Sequence, residues 1–324
     1  MLQEVEMSLI EQAAKRLEQL RQAGVDLPGE QSPPSPVAKS NAEQAEHAPY
    51  PASITQPNKA ENAPPVATPE VGKASSKSGK RVELNLEAIS ASGLLVPQAT
   101  RSQLADEYRV IKRPLIANAM GRGSTPIING NLIMVTSALP GEGKSFTAIN
   151  LAISIAMELD NTVMLVDADV ARPSVLNMLA LPPAPGLLDV VVKNSVDISD
   201  VLLRTNIEKL SILPSGTAHP RATELLASDA MIRLLDDMAK RYSDRIIIFD
   251  SPPLLLTTEA RALATHMGQI VLVVNAENTA HAAVKQAVSA IEACSVKMMV
   301  LNQARQASTD GYGYGYGYGY GNET

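Results

Sequence analysis

Residues 131–159 read NLIMVTSALPGEGKSFTAINLAISIAMEL. A short apolar run stops at a loop with two glycines, and the chain then enters a long, mostly apolar segment with no breaker in it. That order is strand, tight loop, helix. Within it, Ala138 to Ser145 fit the pattern of a phosphate-binding loop, with Ala138 in the first glycine's place. Gly141 and Gly143 allow backbone amides to turn towards an anion, and the start of the following helix adds positive potential. Lys144 is placed to reach β- and γ-phosphates, and the Ser145 hydroxyl can ligate magnesium. Pro140 to Phe146, including Glu142, therefore form the expected nucleotide-binding stretch.

Five further runs have the same near-continuous apolar character: TVMLVDAD, KLSILPSG, RIIIFDSP, GQIVLVVNA and VKMMVLNQ. Strands of this kind are covered on both faces, as in parallel sheets whose crossovers are helices. The expected fold is α/β, a P-loop NTPase-like, mostly parallel sheet with helices on both faces. Two of the runs end in acids. MLVDADVARP places Asp167 and Asp169 two apart, on one face if the strand continues that far, and RIIIFDSPP places Asp250 directly after four apolar residues. In a parallel sheet all three gather at the edge where ligands bind. Buried carboxylates there are costly unless a cation neutralises them, which points to Mg2+ held by Ser145, Asp167 and Asp250.

The rest of the chain divides by composition. Residues 1–26 form an expected amphipathic helix, with Val5, Leu9, Ala13, Leu17 and Leu20 at steps of three and four. Residues 27–80 hold ten prolines and almost no large aliphatic residues, the composition of a disordered linker. Residues 81–307 form the globular domain, and residues 308–324 a flexible tail. A helix set apart by such a linker is read as a docking element, because its apolar stripe needs something to cover it. The net charge of −6 argues against a nucleic-acid binder, and one cysteine, Cys294, allows no internal disulfide. The N-terminus lacks the basic start of a signal peptide, and no stretch reaches the ~18 apolar residues of a membrane span. A cytoplasmic protein is expected. The four histidines show no ligand spacing.

The set ALPGEGKS, MLVDADVARP, IIIFDSPP and a tyrosine-rich C-terminus resembles the bacterial tyrosine kinases that accompany exopolysaccharide export. The likeness covers roughly residues 100–321, and the proline-rich leader is closest to the exosortase-linked tyrosine autokinases. The resemblance implies ATP and Mg2+ as cofactors, with Lys144 and Ser145 on phosphate and metal. It implies that Asp167 activates the incoming tyrosine hydroxyl, that Asp169 supports it and that Asp250 holds the metal through water. QLADEYRVIKRP resembles the family's oligomerisation helix, in which Glu, Arg and Arg recur every three residues; here Asp106, Arg109 and Lys112 take those places. Asn302 matches an asparagine near the adenine in related ATPases. The family's second Walker motif reads Asp-x-Asp-x-Arg, whereas this chain has Ala171 there and the arginine follows as Arg172.

The tail TDGYGYGYGYGYGNET holds Tyr312, Tyr314, Tyr316, Tyr318 and Tyr320, five of the chain's eight tyrosines. Glycine on both sides leaves each hydroxyl accessible, so these are the expected phosphoacceptors, modified by a neighbouring subunit. Implied partners are further copies of the chain, a membrane chain-length regulator that recruits it to the inner membrane, and a tyrosine phosphatase. Two alternatives compete. A Min- or Par-type positioning ATPase carries an extra lysine where this chain has Leu139. A scaffold with an adhesive Gly-Tyr tail would leave the intact P-loop without a purpose.

Overall fold

The computed structural model describes residues 79–304, apart from residues 100, 124 and 194. The expected N-terminal helix, nearly all of the proline-rich linker and the tyrosine tail lie outside the described residues. Contacts divide the chain into Met1–Glu70 and Val71–Thr324, and the description concerns the second unit.

Strands β1 (Leu132–Ser137), β2 (Thr162–Asp167), β3 (Leu203–Arg204), β4 (Leu210–Leu213), β5 (Arg245–Asp250), β6 (Gln269–Asn275) and β7 (Val296–Asn302) form one sheet. Its order is β3-β4-β2-β5-β1-β6-β7. All six apolar runs appear as strands and pair in parallel, while β3 lies antiparallel to β4. The β3 strand has two residues, too few for any alternation to show in a sequence.

Side chains alternate across each strand, so the sheet feeds two cores. Leu132, Met134, Met164, Val166, Ile247 and Phe249 pack on one face. They meet α5 (Leu187–Val192), α8 (Asp229–Arg241) and α9 (Thr258–Ala264) through Leu188, Leu235 and Leu263. Ile133, Val135, Val163, Leu165, Ile246 and Ile248 pack on the other. They meet α1 (Leu86–Ala91), α2 (Gln103–Ala119) and α3 (Lys144–Ala156) through Ile89, Leu115 and Ile149. Apart from Phe249, the fully buried hydrophobic residues of the strands are Leu, Ile, Val and Met. Each such side chain contributes about 1.5–3 kcal/mol on burial.

Helix α3 shows why the sequence places the loop where it does. From Thr147 to Ala156 every residue is buried, and no charged residue follows Lys144 within the helix. A helix apolar on all sides must be central. Its N-terminus is thereby fixed at the C-terminal ends of β1, β2 and β5, the ligand-binding edge of a parallel sheet.

At the other end of the sequence, β7 is an edge strand with Met299 and Leu301 exposed. No helix among the described residues is long and apolar enough to cross a membrane.

Candidate active site

Between β1 and α3 the loop depends on left-handed backbone at two positions. Gly141 has φ 84° and Gly143 φ 91°. A Cβ on Gly143 would lie 2.0 Å from Nδ2 of Asn302. That amide donates to the Glu142 carbonyl at 2.9 Å. The Glu142 side chain is buried and turned back into the loop, its Oε2 accepting the Leu139 amide at 2.7 Å and its Oε1 the Thr279 hydroxyl. Ser137 Oγ closes the turn by donating to the Leu139 carbonyl at 2.7 Å. The loop is thus braced from β7 and from the segment after β6.

The three aspartates arrive as their strands dictate. β2 and β5 are neighbours, and Asp167 and Asp250 stand opposite each other in register. The β2 strand stops at Asp167, so Asp169 is presented from the following turn instead of from the strand face. There its Oδ2 meets Lys144 Nζ at 2.7 Å, while Asp250 Oδ1 lies 3.7 Å from the same ammonium. Asp167 Oδ2 accepts the amides of Ser174 and Val175 at 3.1 and 3.0 Å. Ser174 Oγ donates to Ser145 Oγ at 2.8 Å.

Burial sets the electrostatics. It pushes the Asp167 carboxyl up to about 7, with the neighbouring Asp250 charge adding to the rise. It pushes Asp250 up to about 6 against the pull of Lys144. Burial alone would lower Lys144, but Asp250 and Asp169 outweigh it and hold the ammonium above its ordinary value. Asp167 Oδ1 and both Asp250 oxygens are buried without a hydrogen-bond partner. Among the described residues no three acidic, histidine or cysteine side chains form a ready-made metal cage. The residues suit a hard cation that takes the Ser145 hydroxyl and the orphaned carboxylate oxygens, completing its shell with water and phosphate. Magnesium behaves in this way.

In front of the loop lies a cleft of about 550 Å3. Pro140, Gly141, Gly143, Lys144, Ser145 and Phe146 line it from the loop side. Asp169, Ala171 and Arg172 close a second side and Leu256 a third. Arg172 reaches this wall from one residue beyond Ala171, its backbone amide held by Asp169 Oδ1 at 3.2 Å. Asn302 stands against Gly143 as a brace of the loop. Ser174 and Thr279 join the site without any signal in the sequence, since neither belongs to a motif.

The three residues aligned with the oligomerisation helix separate. Asp106 and Arg109 pair with each other on the exposed side of α2. Lys112 is buried, its ammonium 2.7 Å from Glu158 and 2.6 Å from the Ser154 carbonyl, so it ties α2 to the end of α3 within one subunit.

A family model described as an AAA domain matches residues 130–303. The tyrosine-protein kinase YwqD of Bacillus subtilis is 31% identical over 221 residues, which span 68% of this chain and 86% of that protein. This chain belongs to the bacterial tyrosine-protein kinases. The kinase is also 33% identical over 183 residues to the succinoglycan biosynthesis transport protein ExoP of Rhizobium meliloti, spanning 56% of this chain and 22% of that protein. The crystal structure of the chimerical protein CapA2B2 superposes with a TM-score of 0.56 at 29% identity, covering 68% of this chain and 99% of that one.

Proposed function

We propose that the kinase transfers the γ-phosphoryl group of ATP to the tail tyrosines of a neighbouring copy, in the control of exopolysaccharide synthesis or export. The observation that carries this is the placement of Lys144, at the foot of the glycine loop and between the Asp169 and Asp250 carboxylates. Bound phosphate offers Lys144 a stronger anion than Asp169, so the ammonium exchanges one partner for the other. Gly141 and Gly143 let the backbone approach the phosphates, and Phe146 and Arg172 flank them. Mg2+ would supply charge neutralisation of the phosphates, held by Ser145, Asp167 and Asp250.

The tyrosine oxygen forms a bond to phosphorus as the bond to the ADP oxygen breaks, and the phenolic proton goes to a carboxylate. Asp167 is the acceptor. Its carboxylate stands at the end of β2 beside the loop, and the free tyrosine hydroxyl, near 10, needs such help. Leu139 packs against the core beneath the loop, where the Min- and Par-type ATPases present their extra lysine, which disfavours that alternative. A membrane chain-length regulator and a tyrosine phosphatase are the proposed partners, the first recruiting the kinase to the cytoplasmic face of the inner membrane. The name of ExoP, a polysaccharide biosynthesis transport protein, supports that setting.

Intact-mass measurement after incubation with ATP and Mg2+, with the cytoplasmic segment of the membrane partner present, tests the proposal. Phosphate increments confined to residues 308–324 and lost in Lys144→Met are expected. ATP hydrolysis without tyrosine modification would overturn it. Mixing Lys144→Met chains with an active, tail-deleted form tests transfer between copies, because an unmodified tail on the inactive chain refutes it.

A further inference from the structure

The edge of the sheet opposite the P-loop carries a second cleft, of about 440 Å3. It lies where β2, β4 and β5 begin, with Thr162, Leu210 and Arg245 on its walls. Arg81 and Arg204 face each other there across an isolated parallel bridge. The bridge is fixed by Val82 N donating to Arg204 O at 2.8 Å and by Arg204 N donating to Lys80 O at 2.9 Å. Asn206 clamps the same two segments through both the amide and the carbonyl of Leu84. Directly paired residues project to one side, and like charges so placed repel. The backbone therefore sets two arginines side by side at the mouth of the cleft.

Arg245 adds a third guanidinium. Its charged group lies 4.9 Å from the centre of the Tyr242 ring, a cation–π contact. Its Nε is buried without a hydrogen-bond partner, and so is Oγ1 of Thr162 on the same wall. Lys209 also lines the cleft, its ammonium bound to the carbonyls of Glu158 and Leu159. Glu208 is the one acid in the lining. Among the described residues, no carboxylate forms an ion pair with Arg81, Arg204, Lys209 or Arg245. Two buried donors without a partner, beside arginines that no described carboxylate pairs, suit the cleft to an anion.

We propose that this cleft binds phosphotyrosine from the tail of another copy of the chain; the inference rests on the tail being the kinase's substrate. Guanidinium forks match the oxygens of a phosphate monoester and can bind it through paired hydrogen bonds. Leu202, Ile207 and Leu210 give the cleft an apolar wall for an aromatic ring. The tail supplies such groups in series, with glycine on either side so that each can enter without steric conflict. Modification then moves a tail between two sites at opposite edges of the sheet: unmodified tyrosine to the catalytic cleft, phosphotyrosine to the basic one.

The test titrates a synthetic Gly-Tyr repeat peptide, with and without phosphate on its tyrosines, into the full chain carrying Lys144→Met, which cannot modify its own tail. Calorimetry or fluorescence anisotropy is expected to show the phosphopeptide binding at least about tenfold more tightly than the plain peptide. That preference disappears in Arg81→Gln/Arg204→Gln, whose thermal midpoint stays unchanged because both side chains are exposed. Equal binding of the two peptides, or undiminished phosphopeptide binding by the arginine variant, overturns the proposal. So does inorganic phosphate competing as well as the phosphopeptide does, since the site would then read the free ion. The peptide is synthetic, so its binding is measured independently of whether the kinase modifies its own tail in the mass experiment.

Discussion

Replacing Asp167 by asparagine removes a charge that its buried surroundings bear badly. The carboxyl has an unfolded value of 3.8 and a folded value of about 7, raised first by burial and then by Asp250 and Asp169. A raised folded pKa means that the folded state holds the proton more tightly than the unfolded one. Stability from that source is complete below the unfolded value and is lost as pH climbs through the folded value. Each pH unit between the two values corresponds to about 1.4 kcal/mol, so the wild type loses about 3 kcal/mol between about pH 5 and pH 8 from this group alone. Asp167→Asn cannot lose it. An asparagine Oδ1 can still accept the amides of Ser174 and Val175, so the turn that follows β2 keeps its anchor. Asp250 gains as well, because removing the charge beside it relieves part of the rise in its own pKa.

For a domain of this size about 3 kcal/mol corresponds to roughly 6–12 °C in the thermal midpoint. Calorimetric scans of both proteins without nucleotide or metal are the assay. The midpoints should nearly coincide at the acid end and diverge towards alkaline pH, with the variant the more stable. The same variant should be inactive as a kinase at every pH. Parallel midpoints across the range would refute the electrostatic account of Asp167, whatever the activity.

Lys144→Met should abolish phosphate transfer and destabilise the apo protein more at pH 8 than at pH 5, as it strips the nearest cation from three carboxylates; thermal scans at both pH values read this. Gly143→Ala forces a side chain into left-handed backbone and within 2.0 Å of Asn302 Nδ2, at a cost of about 2–3 kcal/mol from strain and a lost hydrogen bond. In a double-mutant cycle by urea unfolding, adding Asn302→Ala should recover part of that loss, and strict additivity would show that the collision is not what hurts. Arg241→Ala breaks the exposed pair with Asp197, whose carboxyl is held at about 2 chiefly by that arginine. It should cost less than about 1 kcal/mol, because solvent screens the pair.

The strand-end acids were legible because a carboxylate directly after an apolar run has few other places to be. Asp167 and Asp250 needed only the parallel order of their strands to stand side by side. Asp169 was harder, since the sequence does not mark that β2 stops two residues earlier. The inward turn of Glu142 could not be read at all. Its partner Thr279 is 137 residues away, and only the packing of β6 beside β1 brings them together. Lys112 shows what spacing alone leaves out. Each step of three residues on an α-helix turns the side chain by roughly 60° from the last, so Asp106 and Lys112 stand about 120° apart. Asp106 and Arg109 lie on the exposed side of the helix, and the lysine falls on the buried one.

The aliphatic character of the sheet has an optical consequence. The chain has no tryptophan, and five of its eight tyrosines belong to the tail. Phe249, the aromatic residue at the centre of the sheet, absorbs and emits only weakly. Near-ultraviolet absorbance and intrinsic fluorescence therefore come mainly from the segment proposed as the substrate. Since phosphorylation moves tyrosine absorbance to shorter wavelength and dims its emission, turnover can be followed on the unlabelled protein against the constant signal of Tyr50, Tyr108 and Tyr242.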